Sequence, residues 1–190
     1  MTDADVAAMQ RLAAGEDLAL NEIMTRWQQR VASLLLRMTG NHTTACDLTQ
    51  ETFVKLYHSR TRFKANASFA GYIFRIAANL ARNHHRWRSR HPSESLDVLQ
   101  EAEMEPAAVG VSPDAALSQA DTTRAVQRAV RKLPHDLRVA LELFTYEDMC
   151  YEDIAAALNC TAKAVETRIY RARQILKIEL QHLNTVSSTR

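Results

Sequence analysis

Glycine is scarce in this chain, with four in 190 residues, while almost half of the sequence is apolar. That balance predicts a folded, helix-rich protein. Cysteine is equally thin: Cys46, Cys150 and Cys160 share no CxxC spacing, and an odd count argues against a disulfide framework. Ordinary buried or half-buried thiols are expected there. No apolar run is long enough to span a bilayer, and residues 1–14 carry acids where a signal peptide would carry lysines. The sequence therefore predicts a protein of the cytosol with no membrane insertion of its own. Glycine-rich phosphate loops, a nucleophile with its base and metal-ligand spacings are all missing, which leaves an enzyme, a metal or another cofactor without support. Asp47 and Glu51, one helical turn apart, read as a solvated or docking face rather than a catalytic pair. His84 and His85 are adjacent and point about 100° apart on a helix, so one metal cannot easily take both.

Charge is absent selectively. Between Arg60 and Arg90 there are eight arginines and lysines and no acid, and from His91 to Thr123 there are seven acids and no lysine or arginine. The whole-chain charge of +2 hides this segregation. With 69–90 as a helix at about 100° per residue, Tyr72, Arg75, Asn79, Arg82, Asn83, Arg86 and Arg90 share an arc of roughly 100°. Phe69, Ile73, Ile76, Leu80 and Trp87 line the adjoining face, which reads as core. A cationic strip without carboxylates repels itself, so its expected counterpart is a polyanion, with nucleic acid foremost.

Strand signals are nearly absent and no internal repeat is visible, so an all-α fold is expected. Leu20, Ile23, Trp27, Val31, Leu34, Leu35 and Met38 repeat at helical spacing until Gly40-Asn41. A second helix begins near Thr43 or Thr44, runs through Leu48, Phe53, Leu56 and Tyr57, and shows Asp47, Gln50, Glu51, Val54 and His58 outward. Ser68 is placed to cap the basic helix. Pro92, Pro106, Gly110 and Pro113, with the acidic run, mark a flexible linker. Helical periodicity returns near Leu117, and Pro134 opens a further helix. The expected organisation is two small helical domains, 1–90 and 117–184, joined by a linker over 91–116 and followed by a disordered tail, 185–190.

In the last third, Tyr151 to Leu158 reads as a short helix, Asn159-Cys160-Thr161 as a tight turn and Ala162 to Leu176 as a second helix. That is helix-turn-helix spacing, in which the second helix enters the major groove. Val165, Ile169, Ala172 and Leu176 form its buried stripe. Lys163, Thr167, Tyr170 and Gln174 lie opposite, flanked by Glu166 and Arg171, and can reach base edges and phosphates.

These residues resemble a known family. Asp47-Leu48-Thr49-Gln50-Glu51-Thr52-Phe53, then Phe63, Phe69, Tyr72 to Ala77, Asn79 and Arg82-Asn83, is similar to the second region of bacterial sigma factors. Leu133-Pro134, Leu137-Arg138, Tyr151 to Ala155 and Val165 to Arg173 resemble the fourth region. With the third region and the long first region absent, the chain resembles the small extracytoplasmic-function (ECF) group of the sigma-70 superfamily, whose members act in stress responses.

The resemblance implies a bundle for region 2, a helix-turn-helix for region 4, and the core RNA polymerase as partner, through the clamp helices of its largest subunit and its flap. Asp47, Gln50, Glu51 and Val54 would dock on the clamp. Phe63, Asn66, Ser68, Tyr72, Arg75, Asn79, Arg82, Asn83 and Arg86 would hold the minus-ten element of promoter DNA as it melts. Lys163, Glu166, Thr167, Arg168, Tyr170, Arg171 and Gln174 would face the minus-thirty-five element. An anti-sigma partner is implied as well. Glu166 stands where many relatives carry a cation, and Asn159 replaces a common turn glycine. The alternative is an autonomous helix-turn-helix regulator, which would leave the first ninety residues without a role.

Overall fold

Capping side chains fix most of the helix boundaries. The computed structural model describes residues 3–64, 68–91 and 113–181, the side chains of 113–121 excepted. Among these residues the secondary structure is entirely helical: α1 (Asp3–Ala13), α2 (Leu18–Thr39), α3 (His42–His58), a 3-10 turn (Arg60–Arg62), α4 (Phe69–Arg90), α5 (Pro113–Lys132), α6 (His135–Tyr146), α7 (Tyr151–Leu158) and α8 (Ala162–Glu179). Gly40 ends α2 in the left-handed region at φ 72°, its N–H donating to the Leu36 carbonyl. Asn41 then caps α3 by accepting from the Thr44 N–H at 2.8 Å. Ser68 caps α4 through the Gly71 N–H, as its position predicts, and Thr161 caps α8 through that of Ala164.

α1 to α4 form one bundle. Ile23, Trp27, Val31, Leu34, Leu35 and Met38 of α2 are buried against Phe53 and Leu56 of α3 and Phe69, Ile73 and Phe74 of α4. The Trp27 ring meets Phe69 and Phe74 edge-on, with centroids 5.2 and 5.7 Å apart. Each such large side chain stabilises the fold by about 1.5–3 kcal/mol. α1 adds Ala8, Met9 and Leu12 to this core. With so short an apolar stripe its periodicity is weak, and the sequence does not announce it.

Several expectations need correction. Pro113 does not belong to the linker; it starts α5, because a first helical position does not need the amide hydrogen that proline lacks. The remaining linker residues, 92–112, and the tail lie outside the described residues. Cys46 and Cys160 are half-buried, but Cys150 is exposed just before α7. Trp87 is not core: it shares the core stripe of α4 but lies two turns beyond Leu80, past the end of the bundle, and is 50% exposed. Ile76 and Leu176 are only half-buried.

The two helical domains that the sequence predicts pack against one another. Their cores are continuous, running from α1–α4 into α6, α7 and α8. α4 packs on α7 so closely that a Cβ at Gly71 would stand 3.3 Å from the Asp153 carbonyl oxygen. α2 meets α6 through charge. Arg37 reaches the buried Glu142 and, at 3.2 Å, Glu147, while Arg30 reaches Glu147 at 2.9 Å. The Arg37 guanidinium also lies 4.4 Å over the Tyr146 ring. The buried Arg138 donates to the Met38 carbonyl at 2.9 Å, near the C-terminal end of α2, where a cation is favoured.

Candidate polymerase and nucleic-acid interfaces

α3 turns Ala45, Thr49, Thr52, Phe53 and Leu56 inward, and the two threonine hydroxyls are satisfied by the carbonyls of Ala45 and Leu48. Asp47, Gln50, Glu51, Val54 and His58 consequently all face solvent. Val54, half exposed, is an apolar centre between polar neighbours, and Glu51 pairs only with Lys55 one turn on, at 3.2 Å. This face is open even with the two halves packed together.

The strip on α4 is also as the spacing predicts, with two qualifications of geometry. Arg75, Asn79, Asn83, Arg86, Arg88 and Arg90 are exposed. Tyr72 is half-buried: its hydroxyl donates to Ser59 Oγ at 2.8 Å and its ring meets Phe63 at 5.2 Å. Phe63 in turn contacts Phe69 at 6.0 Å, so Phe63 and Tyr72 form an aromatic floor next to the N-terminus of α4. Asn66 lies outside the described residues. Arg82 is engaged at both ends, donating to Asn79 Oδ1 at 3.3 Å and to Asp136 of α6 at 3.2 Å. Ser68 spends its hydroxyl on the cap.

The arginines of α1 and α2 have carboxylate partners: Arg11 with Glu16 and Glu22, Arg26 with Asp5, Arg30 with Glu147, Arg37 with Glu142. Arg75, Arg86, Arg88 and Arg90 have none among the described residues. Beside them, burial and the charges of Arg88 and His85 hold the His84 imidazole below its ordinary range. Positive potential is therefore concentrated on this helix.

α7, the turn and α8 form the expected helix-turn-helix. Asn159 adopts the left-handed conformation, φ 51° and ψ 53°, and its N–H donates to the Ala155 carbonyl. Asparagine takes this geometry more readily than other residues bearing a Cβ. Val165, Ile169 and Ala172 are buried, and Lys163, Glu166, Tyr170, Arg171, Arg173 and Gln174 are exposed. Thr167 donates its hydroxyl to the Lys163 carbonyl, and Arg168, half-buried, turns back to Cys160 Sγ at 3.5 Å. Glu166 is paired with Lys163 at 2.7 Å, which lowers the repulsion that a lone carboxylate would meet near phosphates.

A third cluster, absent from the sequence reading, lies between the halves. The rings of His85 and His135 are 5.7 Å apart beside the Arg82–Asp136 pair. Burial, with the charges of Arg138 and Arg82, pushes the His135 imidazole down to about 4. Burial likewise raises Glu142 above the usual carboxylate range, even beside Arg37.

Comparison with known proteins matches these surfaces to two family models: sigma-70 region 2 over residues 23–91 and sigma-70 region 4 over residues 123–176. The chain is 32% identical to the RNA polymerase sigma-H factor of Pseudomonas aeruginosa, over 94% of this chain and 95% of that protein. It is 31% identical to the ECF RNA polymerase sigma-E factor of Escherichia coli, with the same coverage. Among solved structures, CnrH in complex with the cytosolic domain of CnrY superposes with a TM-score of 0.70 at 25% identity, over 95% of this chain and 99% of that one. The sigma factor RpoE of Bartonella quintana, in complex with the anti-sigma factor NepR, shares the fold, with a TM-score of 0.67 at 23% identity over 85% of this chain and 96% of that one.

Proposed function

We propose, from the premise that this chain belongs to the ECF group of sigma-70 factors, a division of labour among its surfaces. As a sigma factor it binds core RNA polymerase and directs promoter-specific initiation, without catalysing a reaction itself. Asp47, Gln50, Glu51 and Val54 of α3 dock on the polymerase clamp. The α4 strip, with the Phe63–Tyr72 floor and the loop bearing Asn66 and Ser68, holds the minus-ten strand as it opens. Tyr72 offers a ring to an unpaired base, and Arg75, Arg82 and Arg86 neutralise phosphates. α8 reads the minus-thirty-five element as duplex through Lys163, Glu166, Thr167, Tyr170, Arg171 and Gln174, with Arg168 on the backbone side. A cytoplasmic location, with the transcription machinery, goes with this reading, and no helix among the described residues is long and apolar enough to cross a membrane.

The observation that carries this assignment is the sorting of arginine. The arginines of α1 and α2 each have a carboxylate partner, whereas on the strip of α4 Arg82 reaches Asp136 and Arg75, Arg86 and Arg90 have no carboxylate partner among the described residues. Run-off transcription with core polymerase on a genomic library tests the reading: transcripts that share upstream and minus-ten elements are expected, and none would reject it. An autonomous helix-turn-helix regulator would instead bind its duplex site tightly without polymerase.

The packed arrangement of the halves also bears on the function. The two promoter elements lie roughly 25 base pairs apart by their names, about 80 Å of duplex, whereas a compact chain of this length is about 40 Å across. Arg82 is meanwhile held by Asp136. We infer that the two halves separate into the 1–90 and 117–184 units when promoter is bound. One of the two solved relatives is bound to an anti-sigma factor, NepR; an anti-sigma factor acting on this chain would gain inhibition by holding the packed form.

A further inference from the structure

Trp87 is the one large aromatic on α4 that the bundle does not use. Its position explains why: it continues the core stripe of Phe69, Ile73 and Leu80 into a part of the helix that no other described helix covers. It is not left idle. The His91 ring stacks on it, centroids 5.0 Å apart and planes 24° from parallel, and His84 flanks it at 6.5 Å. The stack is secured where α4 ends, since the His91 N–H donates to the Trp87 carbonyl at 3.1 Å. Arg86, Arg88 and Arg90 lie within one turn of Trp87 in α4, exposed and without carboxylate partners among the described residues. A half-exposed indole at a helix end that carries several unpaired arginines suits a π-face with negative charge beside it. An unstacked nucleobase with its phosphates has that form.

We propose that Trp87, backed by His91, is a second base-stacking site of α4, taking an unpaired promoter nucleotide beyond those met by Tyr72 and Asn79. Trp87 lies eight residues from Asn79, about 12 Å along the helix axis. The inference rests on the reading of α4 as the strand-holding helix. It adds that the held strand extends to the end of the helix, and that a base, rather than only phosphate, is bound there.

The test uses the full chain with core polymerase on forked promoter templates carrying one abasic nucleotide at successive positions. The wild-type complex is expected to lose about tenfold in retention at one position outside those sensitive to Tyr72 and Asn79 substitution. Trp87→Ala should lose the same on the intact template and nothing more at that abasic position, whereas Trp87→Phe should restore most of the retention and the sensitivity. Identical abasic profiles for wild type and Trp87→Ala would overturn the proposal. So would Trp87→Phe behaving like Trp87→Ala, or a loss spread evenly over every position, which would mean phosphate attraction or packing alone. Failure of the strand-holding reading itself shows separately, as a profile in which wild type is insensitive to abasic nucleotides everywhere.

Discussion

A carboxylate on a helix that approaches phosphates has to be neutralised or used. Glu166 meets the first condition through Lys163 at 2.7 Å, a pair with both partners well exposed and therefore worth little to stability. Its exposure leaves the second condition open, because a carboxylate can accept from a cytosine amino group in the major groove. Glu166→Arg exchanges that acceptor for a bidentate donor suited to guanine and frees Lys163. Selection of promoters with the variant should therefore return a different upstream element, with discrimination changed by about 1–3 kcal/mol at the contacted base pair. Recovery of the parent element would place the groove-facing residues elsewhere on α8. The same exposure argument applies to α3, where the docking face carries no buried partner. Replacing Asp47, Gln50 and Glu51 together by Ala should change stability by no more than about 0.5 kcal/mol per site yet weaken polymerase binding. Titration of core polymerase with labelled protein decides it, and an unchanged affinity would remove α3 from the interface.

At the scale of elements, the proposed function asks α4 to serve two partners at once, the bundle and the opened strand. Tyr72 shows the compromise: its hydroxyl is anchored to Ser59, while its ring stays half open beside Phe63. Tyr72→Ala with Asn79→Ala should accordingly slow open-complex formation on duplex promoter about tenfold, with a far smaller defect on a premelted template. Equal defects on both would make these residues part of the packing. Much of this element and of α7–α8 was legible in the sequence because the determinants are local. Ser68, Asn159 and Thr161 cap or turn within a few residues of their own position, and the arginine strip follows from helical period alone. Trp87 misleads for the same reason, since period places it on the core stripe and cannot show where the bundle stops. The links Arg30–Glu147, Arg37–Glu142 and Arg138–Met38 join residues a hundred or more positions apart. Nothing local marks them, and a charge-segregated linker between the two halves suggests separation instead.

On the scale of the whole molecule, the contact between the halves is held by groups that titrate. His135 faces Arg82, Arg138, Asp136 and His85, and its folded value of about 4 lies below the ordinary imidazole value of about 6.5. Between those two pH values the undocked chain binds a proton that the docked one refuses. This contribution is therefore complete above about pH 6.5 and is lost as the pH falls toward 4. Glu142, raised by burial, works in the opposite sense, its contribution falling as the pH rises through its shifted range. Urea midpoints measured from pH 7 to 4 should show a decline that His135→Gln flattens; an unchanged slope would mean that other groups set it. Opening itself can be forced without touching any of these charges. A Cβ at Gly71 would meet the Asp153 carbonyl oxygen at 3.3 Å, and its other near neighbours belong to Ser68 of the same turn. Gly71→Val should thus wedge α4 from α7 while leaving the α1–α4 core intact. The expected result is undiminished helicity by circular dichroism with a radius of gyration above the roughly 16 Å of a compact chain this long. Association with core polymerase should also be faster, because a larger fraction of the protein is already open. Scattering and association rate both equal to wild type would mean that the packed form is no barrier to assembly, and that the halves part only after polymerase is bound.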